Sequence, residues 1–110
     1  MSRPQWLKPP VFLDEKAATH WKNLAPGLYR AGYLTAERSH DFLMLSVWLA
    51  TRDALAAAIG QQGATIRSAS GAIKANPAMR ALMDVEKRLR DLLREFGLNG
   101  TDSLSRFRLP

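Results

Sequence analysis

The sequence predicts a mainly α-helical chain of three principal helices, with one small β-hairpin before the last of them, and three observations carry that prediction. First, the stretch NPAMRALMDVEKRLRDLLREFGL opens on Asn76, a good N-cap, followed by Pro77, whose missing N–H would be unpaired there anyway. It closes on Gly97, which can take the left-handed conformation that ends a helix. Second, apolar residues recur at spacings of three and four in three separate stretches. Third, a short run of β-branched residues around a Ser/Gly turn interrupts that period between the second stretch and the third.

Residues 1–13 hold Pro4, Pro9 and Pro10 among Trp6, Val11 and Phe12, so they read as an extended arm rather than a helix. Its aromatic residues can anchor on the core or on a neighbouring subunit. Asp14 then caps a helix over about 14–31, with Ala17, Ala18, Trp21, Leu24, Leu28 and Tyr29 on its apolar side. Pro26 lies inside it and is expected to kink or divide it.

Thr35 is the expected N-cap of the second helix, 36–60, which is about 36 Å long. Its pattern runs Phe42, Leu43, Leu45, Val47, Trp48, Leu49, Leu55, Ile59, and around Leu55 it is small and apolar on nearly every side. A chain of 110 residues has little other material to cover such a helix all round. Packing against another copy follows. Thr65–Ser68 and Gly71–Lys74 then suggest the hairpin, at about 65–75, which is marginal alone and has to lean on helices or a neighbour.

The last helix, 77–97, carries Met79, Leu82, Met83, Leu89, Leu92, Leu93 and Phe96 along one side, and Leu98 can fold back onto Leu93. Its other face is charged, with Asp84 to Arg88 and Glu86 to Arg90 at the favourable spacing of four. Residues 99–110 are short and polar and read as a flexible tail. The domain plan is therefore an arm (1–13), one helical domain (14–98) and a tail (99–110).

Composition bounds the function. There is no cysteine, which removes disulfides, thiolate metal sites and thiol nucleophiles. The most apolar window, Phe42–Ile59, is broken by Arg52 and Asp53, and the N-terminus lacks a signal-like apolar run, so no membrane role and an intracellular location are expected. Net charge is +6, and its surplus is local. Residues 1–34 carry five bases against two acids, and residues 64–76 carry Arg67 and Lys74 unopposed. Such a distribution favours a polyanion, because phosphate contacts supply most sequence-independent affinity.

Catalysis finds little support. His20 and His40 lie on different expected helices, no HExxH or CxxC is present, and no His/Asp/Glu set has metal-ligand spacing. GQQGATIRSASG lacks the phosphate-loop lysine and follows a helix rather than a strand. Asp84 and Asp91 read as solvated helix-face charges. No enzyme, cofactor or metal is expected. Trp21 and Trp48 share helical spacing with Leu24, Leu28, Leu45 and Leu49, which marks them as packing residues before base-stacking ones.

Several positions in order resemble the short phage terminase small-subunit family: Pro9-Pro10, Leu13, Trp21, Leu24, Pro26, Leu28, Gly32, Leu34-Thr35, Gly63, Gly71, Lys74, Asn76-Pro77-Ala78, Phe96-Gly97-Leu98 and Ser105-Arg106. The resemblance implies a non-catalytic, ring-forming subunit in the host bacterial cytoplasm, encoded by a bacteriophage or prophage. Such a ring recognises the packaging site on double-stranded viral DNA and recruits the large ATPase-nuclease subunit. On that reading Arg3, Lys8, Lys16, Lys22, Arg30, Arg67 and Lys74 are the expected DNA contacts. Trp48, Leu55, Ile59, Leu82, Leu89, Leu93 and Phe96 are the expected homo-oligomer contacts, and Arg106, Phe107 and Arg108 the expected large-subunit contacts. Two other readings use the same elements: a dimeric helix-turn-helix regulator built on 14–31 and 36–60, and a structural helical adaptor without DNA contact. The second helix is too long, too apolar and too acidic for a recognition helix.

Overall fold

The computed structural model describes residues 3–108. Residues 1–2 of the expected arm and 109–110 of the expected tail lie outside them. Three helices are present, α1 (Glu15–Arg30), α2 (Ser39–Gln62) and α3 (Pro77–Glu95), with a two-stranded antiparallel hairpin, β1 (Thr65–Arg67) and β2 (Ile73–Ala75), between the last two. The fold class is therefore the one the periodicity predicts.

The helix ends follow from local chemistry. The Asp14 carboxylate accepts from the Lys16 N–H at 3.1 Å and caps α1. At the far end Gly32 takes φ +85°, so that the Gly32 N–H reaches Tyr29 O and the Tyr33 N–H reaches Leu28 O. The end of α3 repeats this motif, with Gly97 at φ +81°, its N–H on Arg94 O and the Leu98 N–H on Leu93 O at 2.9 Å. Leu98 is buried by that return. Only glycine holds these two left-handed positions without strain.

Two local expectations change. The Thr35 side chain makes no capping bond; a 3₁₀ turn, Ala36–Arg38, precedes α2, and Ser39 Oγ donates to Ala36 O instead. Arg38 in that turn donates to Tyr33 O and lies over the Phe96 ring, 5.8 Å from its centroid, so it closes the turn onto the end of α3. α1 runs as one helix through Pro26, whose ring is buried.

The core is concentrated at one end of an elongated molecule, 62 × 27 × 25 Å. Trp21 of α1, Phe42 of α2 and Phe96 form an aromatic line across all three helices, with centroids 4.6 and 6.4 Å apart. Leu24, Leu28, Leu34, Leu45, Leu49, Leu89 and Leu93 fill in around them, fully buried. The described parts of the arm and of the tail both join this head. A 3₁₀ turn, Gln5–Leu7, inserts Leu7, whose carbonyl accepts from Trp21 Nε1 at 2.7 Å, and Trp6 meets Tyr29 edge-on. The tail, expected to be flexible, is a 3₁₀ helix, Thr101–Phe107, with Leu104 fully buried and Phe107 packed edge-on to Tyr33. Enough apolar surface is buried in its few residues to hold it against solvent.

Beyond Leu49 no residue of α2 is buried, and on α3 burial begins only at Val85. The last three turns of α2, the hairpin and the first two turns of α3 thus form a stalk standing out from the head. α2 has the length and composition of a membrane-spanning helix, with mean hydropathy 1.5 and only 22% of that window buried, yet its first half is committed to the head's core. The stalk is closed by Asn76, a buried polar residue whose Nδ2 donates to Gln62 Oε1 and Gly63 O at 3.0 and 2.9 Å while Oδ1 accepts from the Ala78 N–H. Asn76→Ala removes the cap of α3 and both links to α2, at an expected cost of about 2–3 kcal/mol. Amide hydrogen exchange checks this: protection should fall in the hairpin, 65–75, well before the head.

Candidate nucleic-acid interface

The arm, not periodicity, brings basic residues together. Its turn at Gln5–Leu7 folds back along α1, because Leu7 is drawn to Trp21, and this places Arg3 and Lys8 beside Lys22. The three line a groove of about 330 Å³ floored by Leu7, Trp21, Ala25 and Pro26. No carboxylate lines it. All three cations are solvent-exposed, and none is in an ion pair among the described residues. Arg30 lies two turns beyond Lys22 on the same helix and is also exposed.

The C-terminal segment adds to this end. The Phe107 backbone lies directly on Gly27 of α1, so Arg106 and Arg108 are carried to the half of α1 that bears Arg30. Both are exposed, and the Arg106 guanidinium rests 4.9 Å from the Phe107 ring centroid. Phe107 itself is committed to Tyr33.

The other expected DNA contacts are elsewhere. Lys16, near the start of α1, lines a different, apolar groove with α2. Arg67 pairs with Ile73 and Lys74 with Ile66, so adjacent register positions send the two cations to opposite faces of the hairpin. Arg67 is further turned onto its own loop, donating to Gly71 O at 3.3 Å. The seven residues therefore divide into a head cluster of Arg3, Lys8, Lys22 and Arg30 and three dispersed cations.

The expected oligomer contacts also divide. Leu89, Leu93 and Phe96 fill the subunit's own core, because their face of α3 is the one that meets Phe42, Leu45 and Leu49, and no surface of theirs remains for a second copy. Trp48, Leu55, Ile59 and Leu82 are only partly buried. Trp48 is covered by the Arg88 guanidinium at 5.3 Å.

One pairing had no sequence signal. His20 of α1 and Asp53 of α2, 33 positions apart, are in contact at 2.7 Å, with Arg52 3.5 Å from the same carboxylate. That pairing ties α1 to the base of the stalk.

A family model described as the phage terminase small subunit matches residues 17–105, most of the chain. No curated protein and no solved structure matches it.

Proposed function

Because the chain belongs to the phage terminase small-subunit family, we propose that its head is the DNA-contacting face of a non-catalytic ring. Phage terminase acts in the host cytoplasm during packaging. The ring recognises the packaging site on viral DNA and presents it to the large subunit. The observation that carries the DNA contact is the groove of Arg3, Lys8 and Lys22, a concentration of uncompensated positive charge held at fixed spacing by Trp21. One subunit offers few phosphate contacts. Repetition around a ring multiplies them, and linked weak sites give strong binding. Arg67 and Lys74 add single cations on each subunit. Arg106 and Arg108, exposed on a docked segment, are the surface offered to the large subunit.

The test is DNA binding over a salt series. Replacing Arg3, Lys8, Lys22 and Arg30 by glutamine should flatten the slope of log K against log salt by roughly 3–4 per subunit engaged, at about 0.9 per phosphate contact. Retention at low salt should fall uniformly across sequences. An unchanged slope would move the DNA contact off the head, and flat binding by the unmodified protein would leave a structural adaptor.

A further inference from the structure

Among the described residues, apolar surface lies open at two places on different helical elements. The first is a groove of about 530 Å³ between the start of α1 and the middle of α2, walled by Leu43, Met44, Val47, Ala50 and Ala54 and bounded by Phe12, itself 77% exposed. Thr51, also in the wall, turns its hydroxyl onto Val47 O. The charged side chains on its rim are Asp14 and Lys16. The second surface is at the stalk end of α3, where Met79 and Met83 are one turn apart and Met83 is 69% exposed. Arg80 and Asp84 flank them at the same four-residue interval.

The two surfaces match in chemistry. A wide groove with walls of small and branched residues suits methionine, whose unbranched, polarisable side chain fills irregular apolar space. Each surface also carries one acid and one base beside its apolar centre. Among the described residues none of Asp14, Lys16, Arg80 and Asp84 is in an ion pair within the chain. Brought together, the two surfaces can set Arg80 against Asp14 and Asp84 against Lys16, opposite charges in both pairs.

We propose that Met79 and Met83 of one subunit seat in the Val47 groove of the next, with Arg80 facing Asp14 and Asp84 facing Lys16. This rests on the ring reading and assigns its faces. The contact is heterologous, so each subunit presents a groove to one neighbour and a methionine face to the other. Such a head-to-tail contact continues past a dimer, and it forms a ring where its rotation closes.

The absence of native cysteine makes the test direct. Full-length Val47→Cys, Met83→Cys and the double variant are oxidised and run without reductant, with native mass spectrometry of the unmodified protein alongside. A disulfide needs Cα atoms about 4.4–6.8 Å apart, so a bond reports the seating itself. The expected result is a ladder of cross-linked chains in the double variant and none in either single variant. Lys16→Glu should also shift assembly to higher protein concentration, and Lys16→Glu with Asp84→Lys should restore it. Cross-linking of Met83→Cys to itself, or no cross-link while the unmodified protein still assembles, overturns the proposed faces and leaves the ring standing. A monomer in native mass overturns the ring and the faces together.

Discussion

Trp21→Ala is expected to lower unfolding free energy by about 3–5 kcal/mol, against a usual total of about 5–15 for a domain. Trp21 is buried, stacks obliquely on Phe42 and donates the indole N–H to Leu7 O, so its loss opens a cavity at the centre of the aromatic line and releases the arm together. Urea titration measures the first effect. The second reaches the proposed DNA surface, because Arg3 and Lys8 stand beside Lys22 only while Leu7 is held. Trp21→Phe separates the two: it keeps most of the packing but strands the Leu7 carbonyl, for a loss of about 1–2 kcal/mol. DNA retention should weaken in both variants. A loss below about 1 kcal/mol in Trp21→Ala would mean that arm and core do not share this residue.

Gly27→Ala is expected to unseat the C-terminal segment. A methyl group at Gly27 would overlap the Phe107 carbonyl oxygen and approach the Phe107 Cα and carbonyl carbon to 3.1 Å. These are backbone atoms that no rotamer change can move, so the segment itself has to shift. Lifting it exposes Leu104 and parts Phe107 from Tyr33. Loss of a fully buried leucine contact is worth about 2–4 kcal/mol, although alanine's better helix propensity returns up to about 1. Trypsin gives the readout, since Arg106 and Arg108 lie in the segment: cleavage there should speed up by an order of magnitude or more, with the three helices still folded. Cleavage at the unmodified rate would mean that the segment accommodates the methyl group in place.

The sequence made the helices legible because their signals are local. Asn76-Pro77 and Gly97 mark the ends of α3, and the spacings of three and four pick out the face bearing Leu89 and Leu93. What those spacings do not say is which apolar face meets which. Leu89, Leu93 and Phe96 look the same in sequence whether they face α2 of their own chain or a neighbour, and only the path of α2 decides it. The basic groove was hidden for a similar reason. Arg3, Lys8 and Lys22 are spread over 20 positions and converge only because Trp21 catches the arm at Leu7. The docked tail turns on one glycine in the last turn of α1. Gly27 gives up helix propensity to let a backbone pass, and a lone glycine in a helical pattern carries no sign of what passes over it.

The stalk has a consequence for how such a chain diverges. From Ala50 to Asp84 Asn76 is the one buried residue among those described, and the ties to the head are few: Asp53 meets His20, and Leu55 packs against the core. Substitutions along it leave the aromatic line of Trp21, Phe42 and Phe96 untouched. The head and the stalk are therefore free to change at separate rates. In the ring proposed above, the methionine face of the stalk can be retuned to a neighbour while the groove of Arg3, Lys8 and Lys22 stays as it was.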